Sequence, residues 1–254
     1  MHTRFPLTSR VTRPIPPTVM VPTTAGTGAD VSQFCIVNDV DRMTKVTIIG
    51  RALVPDVAVI DPRTLRTLPA EVAAQSGMDA ITHCIEAYAS VAHSRLTDAA
   101  ALSAIATAWR CIERFVDDPA DPDAGTNMAY AALEAGMAFT NAILGAAHAM
   151  SHQVGGLLDK PHGVINGILL PHVVRFNAAA DPAPYVAIAA GMGLDAQHAP
   201  PAEAAAAVAD RVEELAREVG VPRGLSELGV PEDVGEAAAY LLGDGAGWVT
   251  GQTI

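Results

Sequence analysis

The chain has 254 residues, half of them apolar and only 4% aromatic, with 28 acids against 16 bases for a formal charge of −12. That balance excludes a disordered, collagenous or disulfide-scaffold protein, and it argues against nucleic acid and membranes as partners, because both reward clustered Lys and Arg. No apolar run reaches the ~18–20 residues needed to cross a bilayer, and three cysteines without CxxC spacing (Cys35, Cys84 and Cys111) read as reduced core thiols of a cytoplasmic protein.

The first residues carry Arg4, Arg10 and Arg13 with no acid before Asp30, but Pro6, Pro14, Pro16 and Pro17 interrupt them and no apolar core of a signal peptide follows. Strand signals come next. Thr18–Pro22 is a short β run that ends in the polar turn Thr23-Thr24-Ala25-Gly26-Thr27-Gly28. Ser32–Val37 and Lys45–Ile49 are β-branched stretches on either side of the turn-like Asn38–Asp41, and Asp56–Ile60 is a further strand closed by Asp61-Pro62. Beyond Leu68-Pro69 the texture turns helical. Helices are expected over Glu71–Ala92, Leu96–Phe115, Asn127–Gly155, Gly163–Ala178, Ala202–Val219 and Glu232–Leu242, with stops at Asp117-Asp118-Pro119, Gly155-Gly156 and Gly220-Val221-Pro222. A small β-rich piece followed by a helical body makes the class α+β.

Two constellations carry metal chemistry. In Gly77–Glu86, Asp79 and His83 are four residues apart, which on a helix puts both on one face with Cβ atoms about 5–6 Å apart. Glu86 lies on a neighbouring face, as a supporting acid or a surface one. Further on, His148, His152 and His162 fall within fifteen residues among Ala, Gly and Val, where an unpaired imidazole is costly. His148 and His152 share a helix face, and His162 opens the next helix after Pro161, so that the chain folds back. One carboxylate with several imidazoles suits Fe(II), Zn(II) or a similar ion. The Thr23–Gly28 turn presents backbone N–H groups and hydroxyls that either cradle a phosphate or ribose, or simply turn a hairpin.

Pro22–Gly28, Asp61-Pro62 with Leu68-Pro69, Gly77–Glu86, His148–His152, Pro161–Gly163 and Leu169–His172 together resemble the iron-containing (group III) alcohol dehydrogenases, in that family's order and spacing, over about residues 18–228. The resemblance implies the family's dehydroquinate synthase-like fold, a dinucleotide-binding α/β domain and a helical domain with the active site between them. It implies metal ligands at Asp79, His83, His148 and His162 and a proton-relaying histidine at His152. It also implies cofactor contacts at Thr23, Thr24, Gly26, Thr27 and Lys45. Asp79 stands where the similar but metal-free maleylacetate reductases carry Asn. The clustered basic residues with which dehydroquinate synthase holds its substrate phosphate have no counterpart here.

The resemblance divides the chain into a remnant of the nucleotide domain (1–68), a helical metal-binding domain (69–228) and a tail (229–254). That tail resembles the C-terminus of a short-chain dehydrogenase. Residues 1–17 contain nothing like the family's Gly-Gly-Gly-Ser phosphate loop, so the chain reads as N-terminally truncated. The function implied is hydride transfer between a small alcohol or aldehyde and NAD or NADP, assisted by Fe(II) or Zn(II). The alternative is a metal-binding or interaction protein without catalysis. Unpaired strand edges before Pro69 imply higher mobility there and association into a homodimer.

Overall fold

The computed structural model describes residues 15–39, 41, 44–195 and 198–232. Four short strands come first: β1 (Val19–Met20), β2 (Phe34–Asp39), β3 (Thr44–Ile49) and β4 (Val57–Ala58). β1 pairs in parallel with β4, and β2 pairs antiparallel with β3 in a register that runs from Phe34 opposite Ile49 to Asp39 opposite Thr44. Val19 and Val57 on the first pair, and Val21 just after β1, stay exposed.

The body is helical: α1 (Ala70–Ala89), α2 (Arg95–Asp117), α3 (Pro122–Ala142), α4 (Ala146–Leu158), α5 (His162–Ala180), α6 (Pro184–Gly191) and α7 (Pro201–Glu218). Local chemistry sets several starts. Ser94 and Thr97 form a reciprocal capping box on α2, and Asp121 accepts from two backbone N–H groups ahead of Pro122 in α3. α1 is buried on every side from Ser76 to Ala87 because α2, α3 and α5 surround it. A helix in that position should be apolar all round. α1 instead carries Asp79, Thr82, His83 and Glu86 inside, each of which needs a partner to offset its lost hydration.

The α+β class and the mainly helical body are as expected, but four details differ. The stretch 127–155 is not one helix. α3 stops at Ala142, Ile143 takes φ +66°, and α4 restarts after Gly145. Ala142–Ala147 is helix-forming in composition, so periodicity misses a break whose cause is distant: Glu86 binds the N–H of Ala147, a group that a continuous helix would occupy. Gly155-Gly156 does not end α4, which continues to Leu158. Gly155 instead makes room for the Lys45 ammonium, 3.2 Å from where a Cβ would lie. α6 was not foreseen as a separate helix. Cys35 is exposed on β2, whereas Cys84 and Cys111 are core thiols. The expected helix 232–242 and nearly all of the tail lie outside the described residues. No described helix is long and apolar enough to cross a membrane.

Candidate metal centre

Asp79 and His83 lie one turn apart on α1, His148 in the first turn of α4, and His162 at the first position of α5. Ligand atoms of Asp79, His83 and His148 lie within 4.8 Å of one another, and all three residues are buried. His148 Nε2 is 3.3 Å from Asp79 Oδ1 and His83 Nε2 is 3.9 Å from the same oxygen. His162 stands outside that trio, but its Nε2 reaches the other carboxylate oxygen, Oδ2, at 3.2 Å. Its side chain is 32% exposed against 3% for Asp79, so His162 marks the open side of the site.

What lies behind the trio decides which nitrogens face it. His83 Nδ1 donates to the carbonyl of Gly26 at 3.1 Å, which leaves Nε2 towards Asp79. Gly26 comes that close because it lacks a side chain; a Cβ would sit 2.6 Å from the carbonyl oxygen of Ser76. His148 Nδ1 lies 2.6 Å from Glu86 Oε2, while Glu86 Oε1 accepts from the N–H of Ala147 at 2.7 Å. One buried carboxylate thus fixes the His148 ring and anchors the first turn of α4, the carboxylate–histidine pairing that metal sites use to orient a ligand. The rings of Phe139, His83 and His148 stack, with centroids 4.4 and 4.5 Å apart.

The electrostatics follow from burial and these neighbours. Burial by itself would raise Asp79. The charges of His83 and His162, with hydrogen bonds from His148 and His162, overcome it and hold the carboxyl well below its usual range. Burial pushes His83 down to about 4, with only part of that effect offset by Asp79. Burial also opposes charge on His148, yet Glu86 and Asp79 outweigh it and push the ring up to about 9. The metal-free ring is therefore the positive counter-charge to two carboxylates.

The remaining residues singled out in the sequence surround this core. His152 sits edge-on to His148 and His162, with centroids 5.8 and 5.7 Å away, and burial pushes it down to about 3 with help from nearby positive charge. Lys45 reaches from β3 towards Gly155. Burial lowers its ammonium, and Asp159 and Asp79 partly restore it. Thr23 and Thr27 are exposed, Thr24 is half-buried, and the turn meets the centre through the carbonyl of Gly26.

Sequence reasoning left Glu86 undecided and passed over Phe139 and Asn166. Asn166 is fully buried, and its Nδ2 lies 2.9 Å from both Asp79 Oδ1 and His148 Nε2. The available signal was a single polar side chain in the otherwise apolar run 163–171.

Two family models match the chain: "Fe-containing alcohol dehydrogenase family, C-terminal" over residues 73–244 and "Iron-containing alcohol dehydrogenase" over residues 3–62. The 1,3-propanediol dehydrogenase of Citrobacter freundii is 42% identical over 236 residues, covering 92% of this chain and 61% of its own length. The NAD-dependent methanol dehydrogenase of Bacillus methanolicus is 35% identical over 223 residues, covering 88% of this chain and 58% of its own. A crystal structure of 1,3-propanediol oxidoreductase superposes with a TM-score of 0.86 at 40% identity, over 91% of this chain and 61% of that one. The chain thus spans about three fifths of the length of the relatives it matches. On this likeness of sequence and fold, the chain belongs to the iron-containing alcohol dehydrogenase family.

Proposed function

We propose that this protein is a metal-dependent oxidoreductase that transfers hydride between a small alcohol or aldehyde and NAD or NADP. The observation that carries the proposal is the buried meeting of Asp79, His83 and His148, with His162 on the open side. The donor set fits a divalent ion: one carboxylate oxygen and imidazole nitrogens whose far sides are held by Gly26 and Glu86. Family membership favours Fe(II), and Zn(II) suits the same donors. When bound, the ion supplies Lewis acidity and the nicotinamide accepts or donates the hydride.

The chain's own residues do the rest. Asp79 supplies the anionic ligand, and His83, His148 and His162 the neutral ones. His152, beside His148 and His162, takes the hydroxyl proton and passes it outward in this reading, which its ring contacts with both support. Thr23, Thr24, Gly26, Thr27 and Lys45 hold the cofactor next to the metal, a reading supported by the bond between Gly26 and His83. Location in the cytoplasm fits the reduced thiols, and the exposed valines of β1 and β4 support pairing with a second copy. The test is metal analysis of the purified chain with NAD(H) titration and an alcohol oxidation assay. Stoichiometric divalent metal that is lost in His148→Ala is the expected result, and unchanged metal content in that variant would defeat the proposal.

A further inference from the structure

Asn166 sits in the second turn of α5, where every neighbour from Gly163 to Pro171 is apolar and buried. Its amide nitrogen donates to Asp79 Oδ1 on α1 and lies against His148 Nε2 on α4, at 2.9 Å each. Its carbonyl oxygen Oδ1 is buried with no hydrogen-bond partner among the described residues. An apolar side chain of the same size would avoid that unpaired oxygen and match the rest of the run, so packing does not explain an amide here. The opposite amide orientation would point the carbonyl at the Asp79 carboxylate, oxygen against oxygen. The contact to the carboxylate therefore fixes which way the amide faces.

From this arrangement we infer that Asn166 is a positioning residue that sets the angle between the Asp79 carboxylate and the His148 imidazole. It thereby controls the coordination geometry and the metal retention of the centre. The inference rests on the metal-binding reading above. Asp79 has two oxygens and a rotatable carboxyl, and His162 holds one of them from the open side. Asn166 donates to the other oxygen, the one that His148 Nε2 approaches to 3.3 Å, whereas Glu86 and Gly26 act on the far sides of the rings. Without the amide, His83 and His148 keep their outer partners, but the Asp79 carboxyl loses the donor that fixes its rotation against the His148 ring.

The test uses Co(II) as a visible probe on the full chain, comparing the unsubstituted protein with Asn166→Leu and Asn166→Ser. Both variants are first checked for native helical content. Serine serves if leucine does not fold, because it is small and leaves room for water. The unsubstituted chain is expected to bind Co(II) with ligand-field bands. In the variants the bands should shift, and the dissociation constant from chelator competition should rise about 10- to 100-fold, the range for lost outer partners of metal ligands. A merely structural role would lower the unfolding temperature of metal-free and loaded protein alike and leave the bands in place. Unchanged bands with affinity within twofold of the unsubstituted chain would overturn the inference while leaving the metal reading intact. Failure of the unsubstituted chain to bind Co(II) would overturn both.

Discussion

Replacing Glu86 with Gln removes one charge and almost no volume, and the geometry shows what must fail. Glu86 Oε1 accepts from Ala147 N–H at 2.7 Å and Oε2 faces His148 Nδ1 at 2.6 Å, so both oxygens act as acceptors. Glutamine has one. If its carbonyl keeps Ala147, its NH2 group meets Nδ1, the ring must move its proton to Nε2, and no lone pair faces Asp79. If the amide turns over, the Ala147 N–H faces another donor at the start of α4. Either way one buried charge-assisted hydrogen bond is lost, about 1.5–3 kcal/mol. At about 1.4 kcal/mol per decade, that weakens metal binding roughly 10- to 100-fold. A second reading comes from the metal-free chain, where Glu86 is the largest upward influence on a His148 pushed up to about 9. In Glu86→Gln the ring should titrate closer to its ordinary 6.5, measured by NMR of labelled histidine. Metal affinity within twofold of the unsubstituted chain, together with a ring still titrating near 9, would refute the reasoning.

Acid should destabilise the metal-free chain before its carboxylates titrate. His83 and His152 sit at about 4 and about 3 against an ordinary 6.5, so as pH falls below 6.5 the unfolded chain takes up protons that the folded chain refuses. For His83 alone this amounts to about 3 kcal/mol. His148 acts in the opposite sense, its contribution being full below 6.5 and lost as pH rises through about 9, so urea melts should show greatest stability close to pH 6.5 and a decline on either side. Melts that stay flat from pH 6.5 down to 4 would contradict this assignment. Gly26→Ala should push the turn off Ser76 and withdraw the carbonyl from His83, costing about 1–3 kcal/mol for the unsatisfied buried donor and reducing metal content. Unchanged thermal unfolding would count against it. Amide exchange should be faster in β1 and β4 than in α1, because among the described residues each strand has one neighbour and carries an exposed valine. Equal protection would show that this piece is as tightly held as the helices.

How much of the centre was legible depends on whether its cause was local. Asp79 and His83 are four apart on one helix, and Pro161 starts a helix at His162, so spacing alone brought these residues forward. The meeting of α1, α4 and α5 came from the resemblance, since no periodicity states which helices touch. Glu86 was ambiguous because its value lies in a partner 62 positions away. The break between α3 and α4 was hidden for the same reason: apart from Gly145 the stretch Ala142–Ala147 is made of good helix formers, and the overriding term is a long-range bond to Ala147. Asn166 was overlooked because an amide carries no charge to draw notice. Its clue was negative, one polar residue in a run where nothing polar fits.

Metal loading at this core is linked to proton release. Glu86 accepts from Ala147 N–H and faces His148 Nδ1, and Asp79 is held ionised by its surroundings. These neighbours keep a proton on His148 in the metal-free chain, and the Lys45 ammonium acts on Asp79 from β3. His148 can ligate only after its Nε2 gives up that proton. Loading is then an exchange of one proton for one dication, so retention should weaken by up to tenfold for each pH unit below about 9, until the remaining imidazoles also compete. Chelator competition over a pH series measures that slope. A slope of zero near neutral pH would mean that His148 is already unprotonated there and that the carboxylates find their counter-charge elsewhere.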